Sequence, residues 1–330
     1  IAGLRCAELL KEHADVEIFE AKEKNKDSRP LQMEGGMYYC AFVPDLKPTH
    51  TISELTFSSE KREATWKGKI GYTYKIGGKE GLDAELRQEV GKRVKIHYSS
   101  KITSLDELKD FDIIVGADGY RSKIAQLAGM RKHSPKMWGV GIGSTVKGDF
   151  NIWKLECTFQ TEVAPGGYRY LVPISEQKAT LASACIARKT DTRNVRERLR
   201  EFARARDLNI LSEWTDFEKW YDFNTYQKGN IYLIGAAASL SDQSYGFGLK
   251  YSIISAKLCT KAIIEGWDYN VLIRPMLKEL RYWENIGRWL INATNKYYDR
   301  QVKLANIFFI KNRVQKGKSI AGFYRLLRLF

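Results

Sequence analysis

The chain has 330 residues, 44% of them hydrophobic, which is enough for a large core and two domains and excludes wholesale disorder. Its net charge of +15 implies attraction to something anionic: a phospholipid, a nucleic acid or an acidic substrate. No zinc finger, helix-turn-helix or aromatic RNP pattern supports a nucleic-acid partner, and no apolar run reaches the ~18 residues of a membrane-spanning helix.

The stretch Ile1-Ala2-Gly3-Leu4-Arg5-Cys6-Ala7 opens a helix to about His13, and Val16 to Glu20 follows as a strand. The first residue is not Met, so the chain reads as a truncated product, and its lack of a signal peptide carries no weight. Supply a Gly-x-Gly before Ile1 and this is the second half of a dinucleotide fingerprint. Gly3 lets the helix pack closely on the strand, and Glu20 ends the second strand where an acid binds a ribose 2′-OH. The polar segment Ala21 to Arg29 is a loop ended by Pro30, and Gly35-Gly36 marks a turn. Met37 to Trp66 alternates around Pro44 and Pro48, as in the strands and loops of an inserted sheet. Ile70, Tyr72 and Tyr74 recur at period two in a half-buried strand. Gly77-Gly78 leads into a helix from Gly81 to Val90, closed by Gly91, and Val94 to Tyr98 is the next strand.

Asp112-Ile113-Ile114-Val115 is a short apolar run that predicts a strand covered on both faces. Gly116-Ala117-Asp118-Gly119 then forces a sharp turn with a carboxylate at its tip, and Ser122 N-caps a helix to Leu127. Carboxylate, free N–H groups and helix N-terminus converge at a strand's carboxyl end, where open α/β sheets bind ligands. The simpler alternative is a strand–turn–helix with a capping Asp. From Trp138 to Ala187 the pattern is strand-rich, with Phe159–Val163 and Tyr168–Val172 joined by Pro165-Gly166-Gly167. This predicts an antiparallel sheet, either purely structural or substrate-binding. Asn194 to Asp207 is a charged helix. Asn230 to Ile234 is another strand ending in Gly235-Ala236-Ala237-Ala238, and Tyr245-Gly246-Phe247-Gly248 leads into a helix to Ile264.

Beyond Trp267 the pattern is helical, with Leu272, Met276, Leu280 and Trp283 three or four residues apart. From Lys296 onward, Arg300, Lys303, Lys311, Arg313, Lys316, Lys318, Arg325 and Arg328 face a single Asp299, with apolar residues interleaved. Such a tail suits an anionic membrane surface; the alternative is a core helix with a solvated basic face. Cys6, Cys40, Cys157, Cys185 and Cys259 show no zinc or redox spacing, which makes a reduced cytoplasmic protein the default. The four histidines share no metal-ligand spacing, and no general acid/base pair stands out.

The three strand-end motifs, in this order, resemble those of the flavoprotein group of aromatic-ring hydroxylases and geranylgeranyl reductases. Pro165-Gly166-Gly167-Tyr168-Arg169-Tyr170 is most similar to the geranylgeranyl reductases. The resemblance implies an α/β fold: a Rossmann-like FAD-binding domain interrupted by an antiparallel-sheet substrate domain, with a helical C-terminal tail. Residues 1–36, 79–135 and 223–266 would form the FAD-binding domain. Residues 37–78 would be an inserted substrate sheet, 136–222 the antiparallel substrate domain and 267–330 the basic tail. It also implies FAD, with NAD(P)H or ferredoxin as electron donor. Gly3, Glu20, Asp118, Gly119, Gly235, Ala236, Gly246 and Gly248 would bind the cofactor, and Gly166, Gly167 and Tyr168 would border a substrate tunnel. Ala236 departs from the group, which carries an Asp there that bonds the flavin ribityl chain. Met33 and Glu34 stand where related prenyl reductases often have a Cys, so no catalytic Cys is carried over. The implied reaction is hydride transfer from reduced flavin to a prenyl-lipid C=C, in a cytoplasmic protein peripheral to the membrane. The alternatives are monooxygenation of an aromatic or polyketide-like substrate, and a degenerate, non-catalytic membrane-associated relative.

Overall fold

The computed structural model describes residues 1–24, 33–38, 46–186 and 192–311. In chain order the elements are α1 (Ala2–Leu10), β1 (Glu17–Phe19), β2 (Met33–Tyr38), β3 (His50–Ser58), β4 (Glu63–Ile76), α2 (Leu82–Val90), β5 (Lys95–His97), β6 (Ile114–Gly116), α3 (Lys123–Leu127), β7 (Met137–Lys147), β8 (Lys154–Thr158), β9 (Tyr168–Ser175), β10 (Lys178–Cys185), α4 (Thr192–Ala205), β11 (Asn209–Trp220), β12 (Gln227–Lys228), β13 (Ile231–Leu233), α5 (Leu249–Glu265), α6 (Tyr269–Leu272), α7 (Arg274–Leu290) and α8 (Asn295–Lys311). The chain divides into two compact units. The first is Ile1–Pro30, Ile76–Trp138 and Glu218–Glu284; the second is Leu31–Lys75, Gly139–Phe217 and Asn285–Phe330.

The first unit carries two small sheets, both built on parallel pairs. β1 runs parallel to β5, with Ile18 opposite Ile96. β13 runs parallel to β6, with Leu233 opposite Gly116, and β12 pairs antiparallel on its other side. Ala7, Val90 and Val94 are buried together, with Val16 and Ile18 packed against them, so α1 and α2 share a core with β1. The expectation that Ile113–Val115 is covered on both faces is corrected. Ile113 is 38% exposed, and Ile114 and Val115 are half-buried. Among the described residues β6 pairs only with β13 and is an edge strand. α1 also stops short of His13: Leu10 O accepts from both His13 N and Ala14 N, which turns the chain.

The second unit carries, apart from strand ends, an eight-stranded sheet in the order β11-β7-β10-β9-β8-β3-β4-β2. Its pairs are antiparallel from β7 through β10 and β9 to β8; β8 then runs parallel to β3. Val195, Leu199 and Ala203 lay the apolar stripe of α4 on Val140, Ile142, Leu171 and Leu181. Phe159 to Val163 is not a strand. The strand is β8, five residues earlier, and Val163 N and Ala164 N both donate to Gln160 O in a tight turn. β11 has no counterpart in the sequence reading. In the first unit Met276, Leu280 and Trp283 on α7 are buried, as their spacing predicts; in the second, Tyr298, Val302 and Ala305 on α8 are buried. Among the described residues no helix is long and apolar enough to cross a membrane, and no group of three His, Cys, Asp or Glu could hold a metal. Pro30, Cys40 and the tail beyond Lys311 lie outside the described residues.

Candidate cofactor site

The first unit gathers two of the predicted cofactor glycines, Gly3 and Gly235, with Gly116 at the carboxyl ends of β6 and β13. Gly116 brings the strands and α3 together: a Cβ there would sit 2.7 Å from Leu233 Cδ2 and 3.0 Å from Ile124 Cγ2. Just beyond, a Cβ on Gly3 would stand 3.0 Å from Ala117 Cβ, so α1 abuts the turn after β6. On the other strand, Gly235 has φ +57°, and its Cβ would lie 2.7 Å from Ala2 Cβ and 3.2 Å from Ser252 Oγ. Gly235 N also donates to Ser255 Oγ at 3.0 Å, tying the turn to α5. The N-terminal ends of α1 and of the 17-residue α5 thus meet beyond two parallel strands. Neither N-cap, Ile1 or Gly248, caps its helix through a side chain. First-turn N–H groups and the positive ends of two helix dipoles are a place for an anion such as a pyrophosphate.

Asp118 is drawn back into its own helix. Its carboxylate accepts from Ser122 Oγ at 2.5 Å, Lys123 N at 2.6 Å and Ile124 N at 3.2 Å, while Ser122 Oγ accepts from Ala125 N at 3.0 Å. The capping alternative therefore describes Asp118. Gly119, with φ +82°, has no atom within 4 Å of a Cβ position. Glu20 is half-buried at the end of β1, where its Oε1 accepts from Lys22 N at 3.0 Å and its own N donates to His97 O.

The segment between β13 and α5 holds what the glycine pattern does not reveal. Ser239, Ser241, Asp242, Gln243 and Ser244 are all buried. Ser239 adopts φ +52°, and its Oγ accepts from Tyr221 N at 3.0 Å. Ser241 Oγ accepts from Trp220 Nε1 at 2.6 Å and donates to Glu218. Asp242 Oδ1 accepts from Ser244 N at 2.7 Å, Ser244 Oγ at 2.6 Å and Tyr245 N at 3.1 Å. Burial pushes the Asp242 carboxyl up to about 6, although these bonds pull it down. Gln243 Oε1 is buried with no partner among the described residues. Gly246, with φ +77°, has open space at its Cβ position, and Gly248 would meet Ser241 Cβ at 3.5 Å. Ala236 is half-buried beside Gly235. The missed signal is the polar run Ser-Leu-Ser-Asp-Gln-Ser between a strand and a helix.

The predicted substrate residues lie in the second unit. Gly166 has φ +67°, and its Cβ would fall 2.4 Å from Ile186 O; that of Gly167 would fall 1.9 Å from Ala184 O. Their small size is taken up by the approach of β10 backbone. Tyr168 is 3% exposed and stacks on Phe159. Gly143 lies opposite Ala182 and Ala182 opposite Tyr170; Gly141 lies opposite Ala184 and Ala184 opposite Tyr168. Directly opposed residues share a sheet face. Trp214 covers the small residues, its Cζ2 2.3 Å from the Cβ position of Gly143. On the α4 side, a separate cavity of about 270 Å³ is lined by Phe150, Lys154, Glu156, Leu171, Pro173 and Arg206 among others. Of its charges, Glu156 pairs with Arg206 at 2.6 Å and with Lys154 at 3.3 Å. Burial raises the Cys157 and Cys185 thiols, so neither is a ready nucleophile.

Neither protein-family models nor curated proteins match the sequence. Solved structures match the fold. A geranylgeranyl bacteriochlorophyll reductase-like protein from Thermoplasma acidophilum superposes with a TM-score of 0.75 at 14% identity, covering 96% of this chain and 94% of that one. A flavoprotein/dehydrogenase from Cytophaga hutchinsonii gives 0.63 at 13% identity, covering 99% and 96%. The p-nitrophenol 4-monooxygenase of Pseudomonas putida gives 0.64 at 12% identity, covering 94% of each chain. The architecture is the α/β fold of FAD-dependent oxidoreductases.

Proposed function

We propose that this protein is an FAD-dependent oxidoreductase that reduces C=C bonds of a prenyl lipid. The observation that carries the reading is the meeting of the N-terminal ends of α1 and α5 beyond β6 and β13, in a chain with this fold. The residues fit the cofactor. Gly3 and Gly235 permit the close approach of α1, Gly119 and Gly246 leave open space, and Gln243 offers a buried acceptor that meets no donor among the described residues. The α1 and α5 N-termini would hold the pyrophosphate, and Glu20 the adenosine ribose, by exchanging its bond to Lys22 N. Asp118 would act through α3, fixing the turn that carries Gly119. When bound, the flavin supplies hydride chemistry, with NAD(P)H or ferredoxin as electron donor. Gly166, Gly167 and Tyr168 would border the substrate tunnel, and Tyr168, Tyr170 and Trp214 give the neighbouring sheet face its aromatic side chains. Its aromatic side chains support a second reading equally, monooxygenation of an aromatic substrate, the type of activity named for the p-nitrophenol enzyme.

Purified protein should be yellow and release FAD, not FMN, on denaturation. FMN as sole flavin removes the role of Glu20, and a colourless preparation that takes up no FAD favours a non-catalytic relative. Reduction of a geranylgeranyl lipid without oxygen, adding two hydrogens per double bond, supports the first reading. Substrate-dependent consumption of dioxygen with NAD(P)H supports the second and overturns the first.

A further inference from the structure

Four of the five buried polar side chains between Ser239 and Ser244 have their partners inside the first unit, and the exception is Gln243. We infer that Gln243 is the side chain through which this loop holds the ribityl–isoalloxazine half of the flavin; the inference rests on the FAD reading above. Gln243 is 3% exposed, and its Oε1 meets no donor among the described residues. A buried acceptor left unpaired opposes folding, so nearly all such groups in native proteins have a partner. The turn that bears Gln243 is fixed on both sides. Gly246 N donates to Asp242 O and Asp242 N to Phe247 O, both at 3.0 Å, and Asp242 Oδ1 collects Ser244 and Tyr245. The loop therefore holds in place an amide whose oxygen meets no donor among the described residues.

Chemistry decides which part of the cofactor it meets. An amide oxygen only accepts. The donors of FAD are the adenine amino group, the hydroxyls of the adenosine ribose and of the ribityl chain, and the ring N3–H. The phosphates have none at neutral pH, and in the FAD reading the adenosine half falls to Glu20 at the end of β1. The other candidate position on this segment, Ala236, presents a methyl group and cannot accept. Gln243 supplies the acceptor from seven residues further along.

The test titrates FAD into the flavin-free full chain by fluorescence quenching and melts the same samples. Gln243→Leu should melt at or above the wild-type temperature, because an unpaired buried oxygen is gone. It should bind FAD about five- to thirtyfold more weakly, the loss of one hydrogen bond. Gln243→Met, unbranched and flexible, repeats the measurement should Leu overpack the turn. N3-methyl FAD assigns the donor: a gap between wild type and Gln243→Leu that vanishes points to N3–H, and one that persists points to a ribityl hydroxyl. Wild-type affinity in the Leu and Met variants overturns the inference, as does lower melting with unchanged affinity. Failure of the wild-type chain to bind FAD at all defeats the cofactor reading itself, a separate outcome.

Discussion

Gly235 meets two demands at once: a left-handed backbone and the absence of a Cβ against Ala2. Gly235→Ala should lower unfolding free energy by about 1–3 kcal/mol, the combined effect of αL strain and overpacking. Urea denaturation followed by circular dichroism measures it, and an unchanged midpoint would mean that α1 yields without strain. Asp242 makes a prediction with a pH signature. Its folded value of about 6 stands above the ordinary 3.8, first because of burial and against the bonds from Ser244 and Tyr245. The folded state thus holds this proton more tightly than the unfolded chain does. That contribution to stability is complete below pH 3.8 and is lost as pH rises through about 6. Asp242→Asn keeps an acceptor for all three donors and cannot ionise. Between about pH 4 and pH 7, wild type should lose about 2–3 kcal/mol relative to the Asn variant. A difference that stays constant across that range would show that the folded carboxyl titrates as an ordinary aspartate.

Elements whose signals are local were legible in the sequence. Ser122 was read as an N-cap because its spacing to Ala125 is set by the helix itself, and its Oγ does accept from Ala125 N. α7 was legible because Met276, Leu280 and Trp283 fall on one face, and that face is buried. Asp118 tests this local logic. Asp118→Ala removes two backbone bonds from α3 and should cost about 0.5–2 kcal/mol, with faster hydrogen exchange at Lys123 and Ile124. Unaltered exchange there would mean that water replaces the carboxylate without loss. What depends on distant partners was not legible. β11 lacks a clean alternation because it is a sheet edge with Leu211 and Phe217 exposed. Phe159–Val163 reads as β-prone, yet Gln160 O gathers two N–H groups and the segment turns. The glycine pattern located the strand ends, but the buried polar run escaped. Its partners Tyr221, Trp220 and Glu218 lie 18, 21 and 23 residues away from the serines they meet. Only folding reveals that Ser241 is a buried link and Gln243 a buried acceptor.

At the scale of the whole molecule, the net charge of +15 is the property that the fold does not explain. Similar folds serve reductases and monooxygenases alike, so architecture leaves the substrate open. A prenyl chain is insoluble in water, and an enzyme for it must collect it at a membrane. The C-terminal sequence is where the charge is concentrated, but not all of it is available for a surface. Tyr298, Val302 and Ala305 are 2%, 3% and 2% exposed, so deletion from Lys296 would open the core of the second unit. The better cut follows Lys311. Residues 312–330 contain Arg313, Lys316, Lys318, Arg325 and Arg328 and no acid. Each cation near an anionic bilayer contributes about 1 kcal/mol, and the attraction fades as salt shortens the Debye length. We therefore expect the whole chain to co-sediment with phosphatidylserine-containing vesicles and not with neutral ones. Binding should weaken along a salt series, with a salt-resistant remainder where apolar side chains insert. A chain ending at Lys311 should lose the binding and keep its melting temperature and FAD affinity. Equal binding to neutral and anionic vesicles, or to neither, removes the membrane surface as a partner. Binding that survives the truncation moves it to α8, where Lys296, Arg300 and Lys303 are exposed.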